Sequence, residues 1–174
     1  MKIRHVVGII AALAAITSCA PQTTVNPAGE QNKALIKRIH AELAQGNAAI
    51  MDEVLAPGYV RHCQAMPPEL QELTDIKVFK GFLTEFTAAC PGYTDVVSQM
   101  VAEGDMVAYV STMTGTQTGP MGGLPPSGKD FILVNIVIHR FADGKVAESW
   151  VSWDNVAMLS QLGYFPPPAP PEAP

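Results

Sequence analysis

FILVNIVIHRFADGKVAESWVSWD, residues 131–154, reads as a β-hairpin from end to end. Phe131 to Phe141 is a β-branched run, Asp143-Gly144 supplies the two left-handed positions of a tight turn, and Lys145 to Asp154 is the return strand. A two-residue turn opposes His139 to Glu148, Val137 to Trp150, Asn135 to Ser152 and Leu133 to Asp154. Because strand side chains alternate, this pairing predicts one face carrying Asn135, His139, Glu148, Trp150, Ser152 and Asp154. The other face carries Ile132, Val134, Ile136, Ile138, Val151 and Trp153. Titratable groups mixed with a tryptophan suit a ligand cavity, whereas a nearly all-apolar face must be covered, by helices or by a second subunit. The simplest arrangement places helices over the pocket and a homodimer on the back.

Working outward, Tyr93 to Val101 and Met106 to Thr116 are two more strands joined at Glu103-Gly104-Asp105, and a Gly- and Pro-rich loop, Gly119 to Lys129, precedes the hairpin. Upstream of Pro91 the pattern is helical. Glu30 to Gln45 places Leu35, Ile36, Ile39 and Leu43 on one face, and Asp75 to Ala89 does the same with Ile76, Phe79, Leu83 and Phe86. A short helix, Ala48 to Leu55, and a brief extended piece, Tyr59 to Cys63, lie between them, and Val156 to Leu162 closes the domain as a helix or turn. Helices followed by strands predict an α+β fold: a curved antiparallel sheet packed with three N-terminal helices around a pocket.

The ends read differently. Lys2, Arg4 and His5 precede an apolar run from Val6 to Ile16, too short for the ~20 residues that span a bilayer. Residues 1–18 are expected to be a signal peptide. Ile16-Thr17-Ser18-Cys19 resembles a bacterial lipobox, which implies lipidation of Cys19 and anchorage of the protein to a membrane of the cell envelope; a plain secretory signal is the alternative. Residues 19–29 form a tether, 30–165 the domain, and 166–174 a proline-rich tail with nothing to bury. Across 174 residues there are 11 Lys+Arg against 16 Asp+Glu, a net charge of −5 with no basic cluster, which excludes a nucleic-acid footprint. Cys63 and Cys90 are left in an oxidising compartment, either as a disulfide or as two buried thiols.

Several phrases in order resemble the SnoaL-like polyketide and ester cyclases, members of the superfold named after nuclear transport factor 2. They are Asn32-Lys33-Ala34-Leu35, Leu55-Ala56-Pro57-Gly58-Tyr59-Val60 with His62 after it, Phe82 to Pro91, Gly115-Thr116-Gln117-Thr118-Gly119, Leu124-Pro125-Pro126-Ser127-Gly128-Lys129, and Phe141-Ala142-Asp143-Gly144-Lys145-Val146 leading to Glu148, Trp150, Trp153 and Asp154. The resemblance implies a cone-shaped sheet closed by three helices around an interior pocket. It also implies a catalytic acid/base aspartate where Asp154 stands and a substrate-polarising histidine at His62.

Chemically, an aspartate in an apolar cavity can take a proton from carbon next to a carbonyl, while Asp154 is equally placed to cap the helix that follows. His62 is either such a partner or a loop histidine, and His139 either assists or is held by Glu148 opposite. Asn135, Trp150, Tyr109 and Glu148 are the candidate ligand-binding residues, with Tyr109 and Trp150 as walls, and His40 on the border of the first helix reads as surface or packing. Histidines without HxH or HExxH spacing argue against zinc or iron, so neither metal nor cofactor is expected. The implied activity is cofactor-free acid/base chemistry, of aldol-cyclase or isomerase type, on a small hydrophobic carbonyl compound. The rival is a non-catalytic envelope protein that binds a small hydrophobic ligand.

Overall fold

The computed structural model describes residues 26–165. The expected signal peptide, Cys19 with its lipid, most of the tether and the tail 166–174 lie outside the described residues.

Helix α1 (Pro27–Ala44) starts three residues before the expected Glu30, because Asn26 caps it through the Ala28 N–H and Pro27 fits its first turn. Helices α2 (Ile50–Val54) and α3 (Ile76–Ala89) follow, the latter capped by Asp75. Six strands, β1 (Leu55–His62), β2 (Glu72–Leu73), β3 (Thr94–Glu103), β4 (Met106–Thr116), β5 (Asp130–Ala142) and β6 (Lys145–Trp153), form one curved sheet in the order β2-β1-β6-β5-β4-β3. Helix α4 (Asn155–Leu162) packs against β5.

The fold class is α+β as read, with one amendment to the sheet. Strand β1 runs parallel to β6, so the sheet is mixed rather than antiparallel. Parallel pairing needs a long crossover, and the whole chain between β1 and β6 provides it. Only Tyr59 onward had been legible as strand, since Pro57-Gly58 is a breaker signal. Here both residues sit where the β1–β6 register slips between Leu55 and Val60, which is where a sheet tolerates proline and a glycine at φ 76°.

The hairpin departs from its arithmetic by one residue. At the turn, Ala142 pairs with Lys145 and Phe141 with Val146, as a two-residue connection requires, and Asp143 and Gly144 adopt φ 50° and 73°. Arg140 then pairs with Glu148, leaving Ala147 as the extra residue of a bulge. Beyond it the partners are His139 with Ser149, Ile138 with Trp150, Val137 with Val151, Ile136 with Ser152 and Asn135 with Trp153. Ser149, Val151 and Trp153 therefore line the interior, while Glu148, Trp150 and Ser152 turn outward.

Two apolar clusters fill the inside of the cone. Ile36, Ile39, Met51, Val54, Val107 and Val146 pack under α1 and α2, and Phe86, Cys90, Phe131, Leu133, Met158 and Leu162 pack under α3 and α4. Each such side chain contributes about 1.5–3 kcal/mol when fully buried. Cys63 and Cys90 are separate buried thiols, and burial pushes Cys90 up to about 11, which leaves it unreactive. The glycine- and proline-rich loop after β4 is fixed from below by Gln117, which is fully buried. Its amide donates to the carbonyls of Gly119 and Pro125 and accepts from the Ser127 N–H and the Tyr164 hydroxyl.

Candidate functional site

The inner face of the sheet and helices α1 and α3 enclose a cavity of about 170 Å³. That is close to the ~150 Å³ that accommodates a benzene ring in an engineered core. Its wall is mostly apolar, contributed by Ile39, Leu43, Phe79, Phe82, Leu83 and Val137 among others.

Into this wall is set a continuous chain of polar side chains. The His40 ring lies 2.8 Å from Asp95 Oδ2 through Nδ1 and 3.0 Å from the Tyr109 hydroxyl through Nε2. The same hydroxyl is 3.0 Å from His139 Nε2, His139 Nδ1 is 2.7 Å from Ser149 Oγ, and the Tyr59 hydroxyl donates to Ser149 Oγ at 2.9 Å. All six residues line the cavity. They come from α1 and from β1, β3, β4, β5 and β6, so the curvature of the sheet, not proximity in sequence, brings them together.

The protonation logic of the chain follows from burial. Desolvation first, then the charges of His40 and Arg61, lowers His139 to about 3, so its imidazole is neutral at physiological pH. Desolvation, reinforced by Asp95 and Tyr59, raises Tyr109 far above the phenol range, so it keeps its single proton. With His40 neutral as well, one assignment satisfies every link: Tyr59 donates to Ser149, Ser149 to His139 Nδ1, His139 Nε2–H to Tyr109, Tyr109 to His40 Nε2, and His40 Nδ1–H to the Asp95 carboxylate. With His40 protonated, its Nε2–H donates to Tyr109, Tyr109 to His139 Nε2 and His139 Nδ1–H to Ser149, and the Asp95 carboxylate accepts from His40 Nδ1–H in both cases. Its second oxygen, Oδ1, is buried without a hydrogen-bond partner among the described residues.

Of the residues expected from sequence to form the site, His139, Tyr109 and Asn135 line the cavity, and Asn135 donates to Ser111 Oγ at 3.4 Å. Asp154, His62, Glu148 and Trp150 do not. Asp154 is exposed and its carboxylate accepts the Ala157 N–H at 2.8 Å, which makes it the cap of α4 and not the cavity base. His62, Glu148 and Trp150 form a cluster on the outer face instead, for two reasons. Inward Arg61 sends its neighbour His62 outward, and the Ala147 bulge does the same to Glu148 and Trp150. His62 Nε2 lies 2.9 Å from Glu148 and its ring stacks on Trp150 at 5.5 Å, while Arg140 holds the other Glu148 oxygen at 2.9 Å. The hydrogen bonds from His62 and Arg140 hold the Glu148 carboxyl below its usual range.

Replacing Asp154 with alanine is accordingly expected to cost about 1 kcal/mol, the usual loss of a helix cap. It should leave ligand binding in the cavity unchanged. A urea titration and a ligand titration on the same variant check both halves.

Asp95, His40, Arg61, Tyr59 and Ser149 were not read as site residues from the sequence. Tyr59 and Arg61 alternate inward on β1, and Asp95 stands two residues after buried Tyr93, so the period-2 signal was present for β1 and β3. His40, beside Ile36 and Ile39 on α1, sits at the edge of the buried stripe and reaches over it. Among the described residues no group of three or more His, Cys, Asp or Glu side chains is placed to hold a metal ion.

Comparison with known proteins gives a consistent picture. Residues 34–162 match the model of the SnoaL-like polyketide cyclases. A protein from Jannaschia sp. CCS1, named as a SnoaL-like polyketide cyclase, is 27% identical with a TM-score of 0.71 over 82% of this chain and 97% of that one. IdmH from Streptomyces antibioticus, named as a polyketide cyclase, is 30% identical with a TM-score of 0.65 over 76% of this chain and 99% of its own. AclR from Streptomyces galilaeus, named as a hydroxylase, is 25% identical with a TM-score of 0.69 over 79% of this chain and 99% of its own. No curated protein matches the chain.

Proposed function

The chain belongs to the SnoaL-like polyketide cyclase family, and on that premise we propose that it catalyses cofactor-free proton transfer next to the carbonyl of a small hydrophobic compound. Asp95 is the base in this reading. The observation that carries it is the hydrogen-bond chain ending on Asp95, a carboxylate that lines the apolar cavity and whose second oxygen has no hydrogen-bond partner among the described residues.

A carboxylate held on one oxygen by His40 Nδ1–H keeps the other oxygen fixed in direction, so no reorganisation is needed when a C–H bond is presented to it. The proton is taken up on Asp95 Oδ1, and the electron pair moves onto the substrate carbonyl to give an enolate. Attack of the enolate carbon on a second carbonyl of the same molecule, whose alkoxide takes the proton back from Asp95, completes an aldol closure; return of the proton to a different carbon completes an isomerisation. The Tyr109 hydroxyl, shared between two imidazoles, fixes His40 from behind.

The test is hydrogen–deuterium exchange into a bicyclic aryl ketone in D₂O, followed by NMR with purified protein. Exchange above the buffer rate that depends on Asp95 supports the reading. A ligand that native mass spectrometry shows retained and released unchanged, with no catalysed exchange, favours the non-catalytic binder.

We also propose that the protein is exported and lipid-anchored at Cys19, and that a second copy covers the back of its sheet. The support for the second part is the outer face itself, where Ile132, Val134 and Ile136 are each more than half exposed, beside the exposed Val96 and Val101. An apolar surface of this extent is uncommon on a monomer. Ile136→Asp is expected to convert a dimer to a monomer in sedimentation equilibrium while the fold persists; a wild-type monomer at micromolar concentration would refute the pairing.

A further inference from the structure

Among the described residues Arg61 is the one cation of the cavity wall outside the hydrogen-bond chain, and it is only 4% exposed. Its guanidinium lies over the Phe79 ring at 5.3 Å and beside the Trp153 ring at 5.9 Å. Among the described residues it makes no ion pair, and Nη1 is buried with no hydrogen-bond partner. The nearby Trp153 Nε1 is likewise buried and unpartnered. Asp95 is the sole carboxylate lining the cavity among the described residues, and its Oδ2 is engaged by His40.

A guanidinium does not escape burial by releasing its proton, and two aromatic faces only partly offset its lost hydration. A buried charge without a counter-charge costs several kcal/mol and persists where something other than stability maintains it. Two residues with an unpaired donor, one of them cationic, line the same apolar chamber. They call for an acceptor that is planar, anionic and attached to a hydrophobic body.

We propose that Arg61 and Trp153 form a carboxylate-recognition site, so that the ligand of this cavity is a hydrophobic carboxylic acid held by its carboxylate at the β1–β6 side. This rests on the cavity being a ligand site and specifies the substrate class of the proposed reaction: a keto acid, preferred over the neutral ketone that serves as the exchange probe. The arrangement also gives the ligand a direction. Its anionic end is kept away from Asp95, which stands on β3, across β6, β5 and β4 from β1. Like charges are thereby separated, and the carbon chain is laid across the sheet toward the base.

Benzoate and benzamide, equal in shape and different in charge, are the probes. Calorimetric titration of the purified protein is expected to show benzoate bound ~10-fold or more tightly than benzamide, the usual worth of a charged hydrogen bond. Arg61→Met should bring the two within about 2-fold while benzamide affinity is kept, and should raise the melting temperature, because replacing a buried unpaired charge by an apolar side chain relieves its desolvation. Arg61→Lys retains the charge and should retain part of the preference, which guards against misfolding of the methionine variant. Equal affinity for both probes in the wild type, no binding of either at millimolar concentration, or an undiminished preference in Arg61→Met would each overturn the proposal. The readout is affinity and not turnover. An Asp95 variant that lacks exchange but still prefers benzoate leaves this inference standing, and the reverse outcome leaves the catalytic reading standing.

Discussion

Asp95→Asn is expected to lower catalysed exchange by about 10²–10⁴-fold, the range that a positioned general base supplies. The substitution is nearly isosteric. The asparagine carbonyl oxygen still accepts the His40 Nδ1–H that Asp95 Oδ2 now takes at 2.8 Å, so His40 keeps its tautomer and Tyr109 its position. What disappears is the free oxygen. In its place stands an amide NH₂, a donor aimed at the substrate where an acceptor is needed, and an amide does not accept a proton at any relevant pH.

Affinity for benzoate should change little, so the loss falls on turnover and not on binding, the pattern of an interaction made only as the proton moves. His40→Gln separates position from charge in the same assay. It removes the group that orients the carboxylate but leaves the carboxylate, and should retain more exchange than Asp95→Asn. Exchange in Asp95→Asn at the wild-type rate would remove Asp95 as the base. An unchanged far-UV spectrum in the variant makes that comparison valid.

The elements of this fold were legible because each carries its own period. The 3.6-residue spacing of Leu35, Ile36, Ile39 and Leu43 and the nearly unbroken β-branched run of 131–141 are local signals, and both elements form close to the expected bounds. The site was less legible because it depends on register. His139, Asn135 and Tyr109 lie on strands whose inward residues follow from alternation alone, and they line the cavity. The unbulged register and the resemblance both point Asp154 inward, but at the end of β6 the chain has left the sheet and the side chain has a closer partner in the Ala157 N–H, the cap alternative. His40 and Asp95 meet across 55 positions of sequence, and no local pattern announces such a pair. Arg61 was silent for a different reason, since a charged residue on a strand is ordinarily assigned to solvent.

Deleting Ala147 should leave the inner face of β6 unchanged. The hairpin arithmetic without a bulge puts Glu148, Trp150 and Ser152 on the inner face; the single extra residue replaces them with Ser149, Val151 and Trp153. Ala147 lies between the Phe141–Val146 and Arg140–Glu148 pairs, so removing it joins two pairs that already exist and shifts neither register. What is lost is the local bend and added twist of the bulge, a cost expected within the ~0.5–3 kcal/mol of an ordinary mutation, against a typical stability of ~5–15 kcal/mol for a whole domain. Ala147→Ser, which keeps the residue count, should cost under about 1 kcal/mol. In a Trp150→Phe background Trp153 is the remaining tryptophan of the two, so its fluorescence reports the inner face directly. Both variants should keep the emission of a buried indole and a cooperative urea transition. A deletion variant whose emission moves to that of a hydrated indole would show that the pairs on either side of Ala147 do not by themselves set which face of β6 looks into the cavity.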